Sequence, residues 1–284
     1  MIKTNKDKIV QMAVMAEVNH PSSRRGYRLS YEGKPFVGHG MSGLKYNVSV
    51  GDSTYGIAEG EHVEPGLSMT NLNRTEGTAL GVLACIGNRV TAVSGDSKGS
   101  DGYITGKHGA FIAWFPPEAH HKITPGDKMR IRAWGTGLQI KGYEEKIRVN
   151  KIDPELLEKI GITVEAGKRV VPVTKEIPPW IMGSGYGMWP VTIDYDIQTT
   201  CPETNEELNL KDIRFGDIVA LKDQLNWWGR GYYEGAITIG VVIHGWSNEA
   251  GHGPGVTTIL SAKPGVIQPK IEPQANITNY LGIS

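Results

Sequence analysis

The chain has 284 residues, 39% of them hydrophobic, with 30 Lys+Arg exactly balancing 30 Asp+Glu. That apolar share lies above the disordered range, and the charge balance leaves no global field to hold a nucleic acid or an anionic membrane. Two cysteines exclude a disulfide scaffold or a thiolate zinc cluster, while 37 glycines, about twice the ordinary share of ~7%, point to tight turns between short strands.

The opening stretch, MIKTNKDKIVQMAVMAEV, has no uninterrupted apolar core followed by a cleavage pattern, so it does not read as a secretory signal. Ile9 to Val18 predicts a buried strand or a short helix. Further strands are expected at Tyr46–Val50, Thr78–Ile86, Arg89–Val93, Phe111–Phe115 and Lys128–Trp134, on apolar content or two-residue alternation. Residues 153–161 then give the clearest helix: Asp153 caps it, Pro154 suits its first turn, and Gly161 closes it. A second, shorter helix is expected over Glu206–Ile213. The later strands are Val170–Thr174, Val191–Tyr195, Ile218–Leu221, Ala236–His244 and Val256–Ser261. Gly126-Asp127 and Gly216-Asp217 both precede a strand and are followed by Trp-Gly, which leaves open two related barrels or two unrelated turns.

These elements predict a mainly β protein of small β-barrels or packed antiparallel sheets, with one or two short helices. The helix at 153–161 marks the boundary between an N-terminal glycine-rich β domain (1–161) and a C-terminal β domain (162–284). Residues 1–150 carry 19 basic against 14 acidic side chains, and residues 151–284 carry 11 against 16. That asymmetry favours docking of the halves or head-to-tail assembly, so a homo-oligomer is an open expectation. No stretch is long enough to span a bilayer, and by elimination the expected location is cytoplasmic.

Four of the eight histidines sit directly against glycine, at Gly38-His39-Gly40, His108-Gly109, His244-Gly245 and Gly251-His252-Gly253. Glycine permits close backbone approach, and imidazole titrates near neutrality, so these positions mark candidate site loops. The strongest constellation is Ala236 to Ser261, a strand, a polar loop and a second strand. It joins His244, Glu249 and His252 within one glycine-rich loop, which is expected to line the main pocket with His108 brought in from the N-terminal half. His252 is the candidate acid/base group or metal ligand, and Glu249 its partner or a proton acceptor.

Glu59, Glu61, His62 and Glu64 fall in one short stretch. If it is extended, His62 and Glu64 share a face and suit a metal such as zinc or manganese; otherwise it is a solvated acidic turn. Asp194 and Asp196 also share a strand face, which fits a metal-binding pair or, more commonly, a solvent-facing edge. Asp96, Asp101 and Lys107 read as polar groups near the site. Trp227-Trp228 and Tyr232-Tyr233 fit either ligand stacking or a subunit contact. Gly183-Ser-Gly-Tyr-Gly187 lacks the flanking strand and helix of a phosphate loop.

Val90–Ile104 resembles the KOW motif of small SH3-like barrels, without the basic and aromatic face that RNA binding needs. Over nearly the whole chain, the segments YNVSVGD, GEHVEPGLS, IGNRVTAVSGDSKGSDGYITGKHG, MGSGYG, LKDIRFGDIVALKD and ITIGVVIHG…GHGPGVTTILS resemble domain of unknown function 4438, a family of bacterial and archaeal proteins. The resemblance implies a compact β-rich protein and carries over no catalytic residue. From the residues themselves, the leading expectation is a small-molecule hydrolase acting on a C–N or similar bond. A divalent metal (zinc or manganese) or a His/carboxylate pair would activate water. The alternative is a non-catalytic small-molecule-binding or assembly protein. No nucleic-acid or membrane partner is expected.

Overall fold

A computed structural model describes residues 2–21 and 27–283. The protein is mainly β, with 37% strand and 14% helix. Six strands close a barrel in the order Met12–Val18, Leu67–Thr70, Ala110–Trp114, Asp101–His108, Arg89–Ala92 and Lys128–Ala133. Two of them, Met12–Val18 and Lys128–Ala133, bury every second residue, as a half-buried strand requires. Their inward residues join Leu67, Met69, Ile104 and Phe111 in one core.

Packed beside the barrel is an open sheet in the order Lys175–Ile177, Ile218–Asn226, Arg230–Val242, Gly255–Ala262 and Tyr195–Asp196. All eight residues of Gly255–Ala262 are buried, which marks it as an interior strand. A three-stranded sheet of Thr163–Glu165, Lys168–Val173 and Ile267–Ile271 lies alongside, and the last two of these strands run parallel.

One seam between barrel and sheet sits at Gly106. The barrel strand shifts register between Ile104 and Gly106, and a Cβ at Gly106 would come within 2.6 Å of the Ile243 side chain. Thr257 Oγ1 binds the Lys107 carbonyl at 3.2 Å across the same seam. This docking carries the next residue, His108, toward the end of the Arg230–Val242 strand.

Several expected elements differ. Residues Thr78–Ile86 are mostly helix, not strand: Asn73 caps the helix Arg74–Leu83 by accepting from the amides of Thr75 and Glu76. Tyr46–Val50 forms no strand, and only Tyr195 of Val191–Tyr195 is in one. The expected helix at Glu206–Ile213 is instead a helix over Pro202–Glu207 and a 3-10 turn over Leu210–Asp212. The two Gly-Asp turns share their chemistry, since Asp127 Oδ2 accepts from Thr124 N and Asp217 Oδ2 from Arg214 N, each at 2.9 Å. Their strands part company, one entering the barrel and the other the open sheet, so the described residues form one barrel, not two.

The expected boundary at 161 falls just beyond the helix Pro154–Lys159, with Asp153 as its cap and Gly161 at φ +75°. Contacts cross it freely. Ile147–Val149 pairs with Gly255–Ala262, and one core cluster mixes Ile86, Ile112 and Ile152 with Val171, Ile239 and Ile259.

Candidate active site

The loop carrying His62 is buried and bent. Glu61, His62 and Glu64 are each no more than 4% exposed, which excludes a solvated turn. Glu59 and His62 take φ of 56° and 48°, the left-handed region that is uncommon for residues with a Cβ. Backbone bonds hold them there: His62 N to the Trp246 carbonyl, Glu61 N to the His39 carbonyl, and Glu64 N to the Gly40 carbonyl. Thus Gly38-His39-Gly40 contributes its backbone to the site. The left-handed turn also breaks the expected two-residue alternation. His62 and Glu64 do not pair; Glu61 lies 2.5 Å from His62 Nδ1, though off the line of a hydrogen bond, and Glu64 turns to His108.

His108 reaches the cleft from the end of its barrel strand, with Nδ1 held 2.7 Å from Glu64 Oε1. Glu64 is itself fixed by the Ser68 hydroxyl, by the Ser42 amide at 2.9 Å and by Lys45 at 4.0 Å. Burial would raise this carboxyl, but His108, Lys45 and Ser68 outweigh it and keep it below its usual range. The ionised carboxylate accepts a hydrogen bond from Nδ1–H, which leaves Nε2 as the imidazole nitrogen with the lone pair.

His244 lies two residues past the strand Arg230–Val242 and is fully buried. Its Nδ1 is 3.0 Å from the Gly245 carbonyl, so Nδ1 carries a proton and Nε2 faces Asp194 Oδ2 at 2.8 Å and Asp196 Oδ1 at 3.4 Å. Burial would lower this imidazole, yet the two aspartates hold it well above its ordinary value. Asp196 mirrors it. Burial would raise its carboxyl, but bonds from His244, His252 and His62 keep it well below. His252 Nδ1 completes the cluster, 2.8 Å from Asp196 Oδ2 and 3.0 Å from His62 Nε2.

Asp194 and Asp196 are therefore not a solvent-facing edge. Tyr195–Asp196 pairs with the start of Gly255–Ala262, and a Cβ at Gly255 would overlap His244 and Asp194. Two buried cations anchor the segment before them. Arg230 Nη1 donates to the Asp194 carbonyl at 2.5 Å, its Nη2 donates to the Ile193 carbonyl, and Lys107 Nζ donates to the Thr192 carbonyl at 2.5 Å. Burial pushes Lys107 down to about 8 and Arg230 to about 10, with Asp194 opposing both shifts.

The cleft holds about 220 Å³ and is lined by Arg28, Met41, Ser184 and Ile193 together with His62, His108, Asp194, Asp196, Glu249 and His252. It is not the largest hollow, as a space of about 590 Å³ lies on the barrel wall. Glu249 departs from its expected role. It pairs with Arg28 and lies 3.9 Å from His252 Nε2, so the nearer carboxylate of His252 is Asp196. Asp101 lines the barrel-wall hollow, neither Asp96 nor Asp101 lines the cleft, and Trp228, Tyr232 and Tyr233 are exposed. Arg28 and Ser184 were not foreseen; Arg28 has no spacing signal, while Ser184 sits in the glycine-rich MGSGYG run.

Two sets of donors lie close enough to share an ion: His62, Asp196 and His244, and His108, Asp194 and His244, with atoms within 4.8 Å of one another in each set. Residues 27–158 match the N-terminal domain of unknown function DUF4438, and residues 159–281 match its C-terminal domain. The chain belongs to the DUF4438 family. It is also similar to the protein in the crystal structure of TM1086, at 42% identity, with a TM-score of 0.93 over 98% of this chain and 99% of that one. No curated protein matches it. The two family domains meet inside the helix Pro154–Lys159, and the cleft takes four of its ten lining residues from the first and six from the second.

Proposed function

We propose that this DUF4438 protein is a metal-dependent hydrolase of small molecules, acting on a C–N or similar bond. The observation that carries the reading is the gathering of His62, His244 and Asp196, three buried donors from distant segments, with their ligand atoms within 4.8 Å of one another. His244 Nε2 faces two carboxylate oxygens with its lone pair, an arrangement that calls for a positive charge between them, either a proton or a metal ion. Within this set His244 Nε2 lies 3.4 Å and His62 Nε2 3.8 Å from Asp196 oxygens, near the ligand–ligand edges of roughly 3.3–3.6 Å that tetrahedral bonds of ~2.0–2.2 Å to zinc produce. Imidazole and carboxylate together suit zinc or manganese.

Such an ion would supply an activated water. His108, with Nδ1–H fixed by Glu64 and Nε2 free, would take or return the proton. His252, half-buried at the cleft wall and bonded to Asp196, is the second proton carrier or a further ligand. A cleft of about 220 Å³ limits the substrate to a small molecule. Exposed Trp180, Tyr186, Trp189 and Trp228 favour a second reading, a non-catalytic binding or assembly protein.

Elemental analysis of the purified protein, followed by a hydrolase screen with metal-loaded and chelator-treated samples, tests the proposal. The expected result is about one zinc or manganese per chain, lost in His62→Ala, with hydrolysis following the metal. Protein that takes up neither ion on titration and hydrolyses nothing would return the assembly reading.

A further inference from the structure

The barrel-wall hollow, about 590 Å³, is built from the outward faces of three adjacent strands, Met12–Val18, Lys128–Ala133 and Arg89–Ala92. Arg130 lies between Met15 and Thr91 in register, and Arg132 lies beside Ala13. Continuing the ladder one residue past the Val90–Ile131 pair sets Arg89 next to Arg132. Short side chains at Ala13 and Thr91 leave a low floor among the three arginines.

Like charges directly opposite one another destabilise a sheet, so this pattern needs compensation. It receives little from within the chain. Asp101 lies 3.8 Å from Arg89 and also accepts from Thr91 Oγ1. Arg132 donates to the neutral Gln11 side chain, and among the described residues neither Arg130 nor Arg132 has an ion-pair partner. Two guanidinium charges remain in excess over one concave surface. Guanidinium forks match oxyanions in pairs, and a concave basic surface concentrates the field.

We propose that this hollow is a second binding site, for a small molecule bearing two or more oxyanion groups of the phosphate or carboxylate class. It is separate from the histidine cleft and does not depend on a metal there. Among the described residues no aromatic side chain lines it, so recognition rests on the charged groups and not on base stacking.

Calorimetric titration of chelator-treated protein with tripolyphosphate, and separately with citrate, tests the assignment. Binding of either anion, weakened about a hundredfold in R130A/R132A, is expected. The more tightly bound of the two identifies the ligand as phosphate- or carboxylate-bearing. His62→Ala should bind as the wild type does. The thermal midpoint of R130A/R132A should be unchanged or slightly higher, because like-charge repulsion is removed; a clear fall would make these arginines structural and overturn the proposal. So would wild-type protein that binds neither anion, a double variant that binds equally well, or a single-stranded oligonucleotide that binds more tightly than tripolyphosphate.

Discussion

At position 255 a Cβ would fall on the His244 and Asp194 side chains, and neither can retreat. His244 is fully buried and tied to the Gly245 carbonyl, while Asp194 sits on a segment whose carbonyls are held by Arg230 and Lys107. Gly255→Ala should therefore cost ~1–3 kcal/mol in stability and abolish metal uptake, read by thermal melting and metal titration. The two histidines of the Ala236–Ser261 segment should separate cleanly. His252 is half-buried, so His252→Ala should lose ligand or metal binding and keep the thermal midpoint nearly unchanged. His244→Ala strips two buried carboxylates of their shared partner and should cost about 3–5 kcal/mol. Unfolding of His252→Ala would make it a structural turn residue instead.

Among the elements, the helix Arg74–Leu83 offers a paired test. At Gly81 a Cβ meets nothing within 4 Å, so Gly81→Ala should stabilise by about 0.5–1 kcal/mol, the helical advantage of alanine. At Gly77 the same methyl would lie 2.6 Å from the Asn71 carbonyl, and Gly77→Ala should gain nothing or lose stability in the same denaturant titration. The far end of this helix is capped from a distance. Lys151 Nζ donates to the carbonyls of Gly81, Val82 and Ala84 at 2.5, 2.8 and 3.1 Å, an ammonium placed where the helix dipole is negative. Burial nevertheless pushes Lys151 from 10.5 down to about 8. Between those values the unfolded chain binds a proton that the folded chain does not, so stability should rise as pH climbs from about 8 to 10.5. Lys45 and Lys107, also near 8, add to the slope, and Lys151→Met should reduce it in denaturation curves taken across that window.

At the scale of the whole molecule, the site is a product of docking, and this decides how much of it the sequence could disclose. His108, His244 and His252 stood out because glycine flanks them, and the β class followed from alternation in strands such as Lys128–Ala133. The pairings did not follow. A left-handed residue at His62 breaks the alternation and sets Glu61, not Glu64, against its imidazole, and the two-residue spacing of Asp194 and Asp196 is the same for an exposed edge as for a buried pair. The run at Thr78–Ile86 passed for a strand because its cap, Asn73, lies outside the apolar window. What no local pattern encodes is the seam itself. His62, His108, Glu61 and Glu64 come from residues 27–158, while Asp194, Asp196, His244 and His252 come from 159–281. The Ile147–Val149 strand and the mixed core of Ile86, Ile112, Ile239 and Ile259 bind those halves into one body. A 1–158 fragment would leave Ile147–Val149 without its partner strand and Glu64–His108 without the aspartates. The intact chain should thus unfold in a single transition, with calorimetric and van't Hoff enthalpies equal, and neither half alone should bind zinc or manganese. Two separate transitions, or metal uptake by an isolated half, would show that the cleft does not depend on the seam.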